Sequence, residues 1–113
     1  MPVSLMVVPI TPEEVARLLR HQSEVVILLD VREPGERATA VIEPSLHIPM
    51  NDVPDRKSEL PTDRQIIVYC HTGTRSAMVA GYLEGEGFQS VANLSGGIDA
   101  WSRRVDHTVP RYD

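Results

Sequence analysis

The sequence contains a single cysteine, no long apolar run and no excess of positive charge. One cysteine cannot form an internal disulfide, which suits a reducing compartment, so we expect a cytoplasmic protein. A membrane-spanning helix needs roughly 18 or more consecutive apolar residues, which this sequence lacks, and its start does not resemble a signal peptide. The net charge of −5 argues against a nucleic-acid partner. We therefore expect neither a membrane nor a nucleic acid as partner.

The length of the chain and the spacing of its histidines limit the organisation further. A chain of 113 residues is long enough to bury a hydrophobic core and too short to divide, so we treat residues 1–113 as one domain. The histidines outside the cysteine region show no metal-ligand spacing; they are His21, His47 and His107. The sequence therefore predicts neither a metal nor a cofactor.

Helix and strand signals alternate along the chain. Thr11 is a good N-cap, Pro12 fits the first helical position, and Glu14 completes the pattern of a capping box. Apolar runs predict strands over residues 25–29, 46–48, 66–69 and 90–94, and helical patterns cover residues 33–39, 53–60, 74–86 and a last helix that carries Ile98 and Trp101. This alternation predicts an α/β fold with a mostly parallel sheet and helices on both faces.

Three segments are expected to meet at one edge of that sheet. Asp30 and Cys70 end predicted strands, and Ser95-Gly96-Gly97 forms a turn after another. In parallel sheets the ligand site lies beyond the carboxyl ends of the strands. We therefore expect the functional site around Cys70.

The cysteine itself stands between a buried strand and the start of a helix. The free N–H groups of a first helical turn and the helix dipole favour an anion, and Arg75 adds a positive charge. Such surroundings favour a thiolate, which is a nucleophile at neutral pH. The alternative is an inert buried cysteine. The glycine loop and Arg75 favour the reactive thiol.

Motifs over nearly the whole chain occur in the order of a known family. They are Asp30-Val31-Arg32-Glu33-Pro34 with Glu36, His47-Ile48-Pro49, Cys70-His71-Thr72-Gly73-Thr74-Arg75-Ser76, and Gly85-Glu86-Gly87-Phe88 with Leu94-Ser95-Gly96-Gly97-Ile98-Asp99-Ala100-Trp101. Together they resemble the single-domain rhodanese-like sulfurtransferases, which implies a five-stranded, mostly parallel sheet. Residues 40–45 depart from the family's usual Gly-His-Ile-Pro stretch and leave the cysteine loop unchanged.

The resemblance implies transfer of a sulfane sulfur in two steps. Cys70 would take the outer sulfur of a small anionic donor such as thiosulfate, and the persulfide would pass it to cyanide, a thiol or a sulfur-carrier protein. Arg75 would neutralise the donor, because its forked N–H groups suit tetrahedral oxyanions. The substrate-binding residues of the loop would be His71, Thr72, Gly73, Thr74 and Ser76. Backbone N–H groups in this loop can hold an anionic sulfur without a metal.

Other residues near the motifs receive supporting roles. Asp30 and Arg32 are expected to form a buried charged network beneath the site rather than to bind substrate. His71 is expected to be an exposed residue that shapes donor access, whereas Ile98 and Trp101 belong to the core. The tail over residues 105–112 is similar to tails of rhodanese domains associated with sulfur-carrier activation; the alternative is a solvated packing arm.

Three other functions stay open at this stage. Phosphatases of the same general fold carry five residues between Cys and Arg, and this loop has four, which fits a sulfur atom better than a phosphoryl group. Some rhodanese-like domains are non-catalytic interaction modules, usually without the cysteine that is present here. The third alternative is a persulfide carrier that serves a partner protein.

Overall fold

Five parallel strands form the sheet that positions the site. The computed structural model describes residues 7–113. The strands are β1 (Val8–Ile10), β2 (Val26–Asp30), β3 (Leu46–His47), β4 (Gln65–Tyr69) and β5 (Val91–Leu94). Their order is β1-β5-β4-β2-β3, and every neighbouring pair is parallel. The strand that leads into Cys70, β4, is therefore central in the sheet.

Helices cover both faces of this sheet. They are α1 (Pro12–His21), α2 (Pro34–Thr39), α3 (Val53–Arg56), α4 (Thr74–Gly85) and α5 (Gly97–Arg104), with single 3₁₀ turns at Ser23–Val25, Met50–Asp52 and Lys57–Glu59. Residues of α1 and α5 pack on one face, and residues of α3 and α4 pack on the other. The expected α/β fold is confirmed. Within residues 7–113 no helix is long and apolar enough to span a membrane.

The two-sided burial explains why β4 is a continuous apolar run. Successive side chains of a strand point to opposite faces. Ile67 and Tyr69 join the core beneath α1 and α5, whereas Ile66, Val68 and Cys70 join the core beneath α4. All five are at most 1% exposed. The side chain of Cys70 therefore emerges on the face that α4 covers.

Two local features differ from the sequence expectations. Strand β1 was not expected; it is three residues long, pairs only with β5, and leaves Val8 61% exposed, so it lacks the apolar pattern of a buried strand. The expected capping box of α1 forms only in part. Thr11 Oγ1 accepts from the Glu14 N–H, but the Glu14 carboxylate binds Arg17 instead of reaching back.

A buried ion pair follows β2. Asp30 and Arg32 are both 0% exposed, and the Arg32 Nε and Nη2 atoms lie 2.9 and 2.8 Å from the two Asp30 carboxylate oxygens. Arg37 reaches the same carboxylate at 3.0 Å. Burial opposes the charge on Asp30, but the Arg32 hydrogen bonds outweigh it and hold the Asp30 pKa below its ordinary value. The expected buried charged network is confirmed.

Asp30→Asn should therefore destabilise the fold strongly. The substitution preserves the shape of the side chain but leaves the buried Arg32 without its counter-charge, which costs about 3–5 kcal/mol. Urea unfolding of the variant measures the loss. The matched control is Asp63→Asn, which removes the same charge from an exposed position and should change stability by less than about 0.5 kcal/mol. Similar losses in the two variants would contradict the structural role of Asp30.

Candidate active site

The site begins where β4 ends. Cys70 follows β4 directly, three residues form a tight turn, and α4 begins at Thr74. Gly73 is the residue before α4 and has φ of 109°, a left-handed conformation that favours glycine. This conformation lets the loop turn back towards Cys70. We call residues 70–76 the cysteine loop.

The loop directs three hydrogen-bond donors at the Cys70 sulfur. The Gly73 and Ser76 backbone N–H groups lie 3.1 and 3.3 Å from Sγ, and the Ser76 hydroxyl oxygen lies 3.2 Å from it. Cys70 is only 1% exposed. Donors fixed around a sulfur that is shielded from water stabilise negative charge on it. Two backbone N–H groups therefore face Sγ, and the Ser76 hydroxyl is placed to supply a third donor.

Asn93 supports these donors from strand β5. Its Nδ2 donates to the Gly73 carbonyl at 3.2 Å, and its Oδ1 accepts from the Ser76 hydroxyl at 2.6 Å. A hydroxyl has one hydrogen, so Ser76 donates either to Asn93 or to a thiolate at Cys70. When it donates to Asn93, its oxygen is free to accept the Cys70 S–H. Sequence reasoning missed Asn93; the signal was a polar residue inside an apolar strand.

The start of α5 fixes the cysteine loop from the other side. The Ile98 N–H donates to the Cys70 carbonyl at 2.9 Å, and the Asp99 N–H donates to the His71 carbonyl at 3.1 Å. Gly97 makes this approach possible, because a Cβ there would lie 2.4 Å from the His71 oxygen. The expected convergence of the glycine turn on Cys70 is confirmed, as is the burial of Ile98.

Arg75, which the sequence predicts as a positive charge beside Cys70, lies in an ion pair with a partner that the sequence did not indicate. Its Nη1 and Nη2 atoms lie 2.7 and 2.8 Å from the two carboxylate oxygens of Glu36 in α2. These hydrogen bonds from Arg75, together with one from Tyr112, lower the Glu36 pKa from 4.5 to about 2 despite partial burial. Thr72 and Thr74 in the same loop are exposed. The positive charge of Arg75 is therefore offset within the protein.

The last residues of the described chain pack against the site. The Tyr112 ring stacks on the His71 ring with centroids 4.1 Å apart, and His71 Nε2 donates to the Tyr112 carbonyl at 2.8 Å. Burial raises the pKa of Tyr112 to about 12, so its hydroxyl stays protonated. That hydroxyl donates to Glu36 at 2.7 Å and accepts from Arg32 at 3.0 Å. His71 is therefore half-buried and engaged, whereas the sequence predicted an exposed residue.

Comparison with known proteins agrees with this geometry. Residues 11–104 match the family model of the rhodanese-like domain. The chain belongs to the rhodanese-like family. It is 43% identical over 88 residues to a protein from Allochromatium vinosum named sulfurtransferase, covering 78% of this chain and 79% of that protein.

Two further rhodanese-like relatives match most of the chain. The thiosulfate sulfurtransferase GlpE of Pseudomonas syringae pv. syringae is 36% identical over 90 residues, which cover 80% of this chain and 83% of that protein. The crystal structure of a rhodanese-like domain protein from Staphylococcus aureus has a TM-score of 0.79 and 31% identity, covering 94% of this chain and 99% of that one. These likenesses support sulfurtransferase activity in general.

The close approach at Gly97 predicts a specific defect. Gly97→Ala should lower stability and disturb the cysteine loop, because the added Cβ meets the backbone of Cys70 and His71. Gly87→Ala is the matched control, since Gly87 also has a positive φ but nothing lies within 4 Å of the added Cβ. Both substitutions place an alanine at a positive φ, which costs about 1–2 kcal/mol. Urea unfolding should show roughly 2 kcal/mol more loss for Gly97→Ala; equal losses would exclude the steric explanation.

The lowered pKa of Glu36 predicts acid-dependent stability. A carboxylate with a pKa of about 2 when folded and an ordinary value of 4.5 contributes stability above pH 4.5. That contribution falls as the pH drops from 4.5 to 2. Wild type and Glu36→Gln should therefore differ most in free energy of unfolding above pH 4.5 and converge towards pH 2. A difference that stays constant across this range would show that the Glu36 charge is not responsible.

Proposed function

We propose that this rhodanese-like protein transfers a sulfane sulfur through a persulfide on Cys70. The observation that carries the proposal is the set of three donors that converge on a buried Sγ at 3.1–3.3 Å. In the first step the Cys70 thiolate attacks the outer sulfur of a donor such as thiosulfate. The donor S–S bond breaks, sulfite leaves with its electron pair, and Cys70 carries the sulfur as a persulfide.

The second step returns the protein to its starting state. A nucleophile such as cyanide, a thiol or a sulfur-carrier protein attacks the terminal sulfur, and Cys70 leaves as a thiolate. The Gly73 and Ser76 donors stabilise this leaving group. Ser76 can turn its hydroxyl hydrogen from Asn93 to Sγ as the negative charge returns, so the same residue serves both steps.

The remaining loop residues are assigned to binding of the sulfur donor. We propose that His71, Thr72 and Thr74 contact the arriving donor, since they lie at or beside the exposed part of the loop. Asp30 and Arg32 support the site from below through the Arg32 contact with Tyr112. A reducing compartment such as the cytoplasm keeps the lone thiol available, and we propose that location.

The alternatives are weaker on specific grounds. A phosphatase loop has five residues between its cysteine and its arginine and wraps a whole phosphate, whereas here four residues separate Cys70 from Arg75. In addition, the guanidinium of Arg75, which would hold the phosphate, is bound to the Glu36 carboxylate. A purely structural interaction module needs no donors around the sulfur. A persulfide carrier that delivers sulfur to a partner protein would use the same hydrogen-bond donors around the Cys70 sulfur, and it is the second candidate function.

Cys70→Ser should abolish sulfur transfer in a folded protein, because an alcohol does not ionise like a thiol. The assay is thiocyanate formation from thiosulfate and cyanide, with circular dichroism as the folding control. Mass spectrometry of the donor-treated wild type should show one added sulfur atom, which the only cysteine locates unambiguously. Substantial transfer by the serine variant, or release of phosphate from an aryl phosphate without any sulfur transfer, would overturn the proposal.

A further inference from the structure

The arginines around the site are all paired within the protein. Among residues 7–113 the pairs are Arg75 with Glu36, Arg32 and Arg37 with Asp30, and Arg111 with Asp99. The Arg75–Glu36 pair reaches solvent, since the two side chains are 32% and 21% exposed. A substrate that approaches Cys70 therefore meets a neutral ion pair instead of a free cation.

Glu36 is held firmly in this position. Both of its carboxylate oxygens bind Arg75, Oε2 also accepts from the Tyr112 hydroxyl at 2.7 Å, and Oε1 accepts from the Glu33 N–H at 3.1 Å. A carboxylate with four donors cannot rotate away without losing several hydrogen bonds. The negative charge beside Arg75 is therefore a fixed part of the site.

We propose that Glu36 is a specificity residue that selects against doubly charged donors. By offsetting Arg75, it removes the attraction that a dianion such as thiosulfate needs and adds repulsion of its own. The same neutral pair does not penalise a donor of low charge, such as the persulfide of a thiol. Thiosulfate then serves as a donor, but a poor one. This inference rests on the proposed sulfur transfer through Cys70.

The step with the low-charge donor balances without an external oxidant or reductant. The Cys70 thiolate attacks the terminal sulfur of R–S–S–H, and the S–S bond of the donor breaks. The leaving RS⁻ takes the proton from the terminal sulfur, which yields RSH and a deprotonated Cys70 persulfide. With thiosulfate the leaving group is sulfite, which is itself an anion.

The test compares Glu36→Gln with Glu33→Gln. Glutamine at position 36 can still accept from the Glu33 N–H, so the start of α2 is preserved while the charge is lost. Glu33→Gln removes the same charge from an exposed position in the same turn, where the side chain forms no pair with Arg75. The readout is kcat/KM at low and high salt for thiosulfate and for the persulfide of 2-mercaptoethanol, which carries at most one negative charge.

The wild type should use the persulfide of 2-mercaptoethanol at least about tenfold better than thiosulfate. Glu36→Gln should raise kcat/KM for thiosulfate about tenfold, mainly through KM, and should change the persulfide value less than about twofold. High salt should shrink the gain, because salt screens an exposed charge. Glu33→Gln should leave the ratio of the two donors unchanged.

The outcomes separate the two proposals. Equal gains for both donors, no gain for thiosulfate, or the same gain in Glu33→Gln would overturn the role of Glu36 while leaving sulfur transfer intact. A wild type that prefers thiosulfate would overturn it as well, even if Glu36→Gln does not fold. Failure of both donors to add sulfur to Cys70, measured by mass spectrometry, would instead overturn the proposed function.

Discussion

The buried carboxylate of Asp30 holds together the network of charged side chains next to the cysteine loop. It lies fully buried at the end of β2 and binds the guanidinium groups of Arg32 and Arg37. Arg32 in turn binds the hydroxyl of Tyr112, and Tyr112 binds Glu36. One buried charge thus fixes the loop after β2, the start of α2 and the last residues of the described chain in a single network. The partly buried Arg75–Glu36 ion pair is therefore positioned by contacts in the protein interior.

The cysteine loop itself is held by hydrogen bonds between uncharged groups. Asn93 holds the Gly73 carbonyl and the Ser76 hydroxyl, while the first turn of α5 holds the carbonyl of Cys70. The cysteine loop is therefore constrained from β5, from α4 and from α5 at once. Its donors are in place before any substrate arrives, which is the condition under which hydrogen bonds stabilise a developing charge most effectively.

Local patterns in the sequence predicted the parts of the structure that depend on neighbouring residues. The apolar run of β4, the glycine loop and the helix that follows it were all recognisable, because burial on both faces and a positive φ each demand particular residue types. Glu36, Tyr112 and Asn93 were not assigned to the site. Glu36 and Tyr112 lie 39 and 41 positions from the residues that they contact, Arg75 and His71. Only the folded topology brings them together, and no local pattern encodes such a contact.

If Cys70 carries a persulfide, as we propose, the near-complete burial of this residue makes the empty and the sulfur-loaded forms of the protein differ. With 1% of the residue exposed, the thiol lies at the bottom of the cysteine loop. A persulfide places a second sulfur about 2 Å beyond the first. The reactive atom of the loaded form therefore stands further from the cysteine backbone than that of the empty form. A bulky reaction partner that cannot reach the buried thiol comes closer to the outer sulfur of the persulfide. The depth of the reacting sulfur below the surface therefore differs between the loaded and the empty protein.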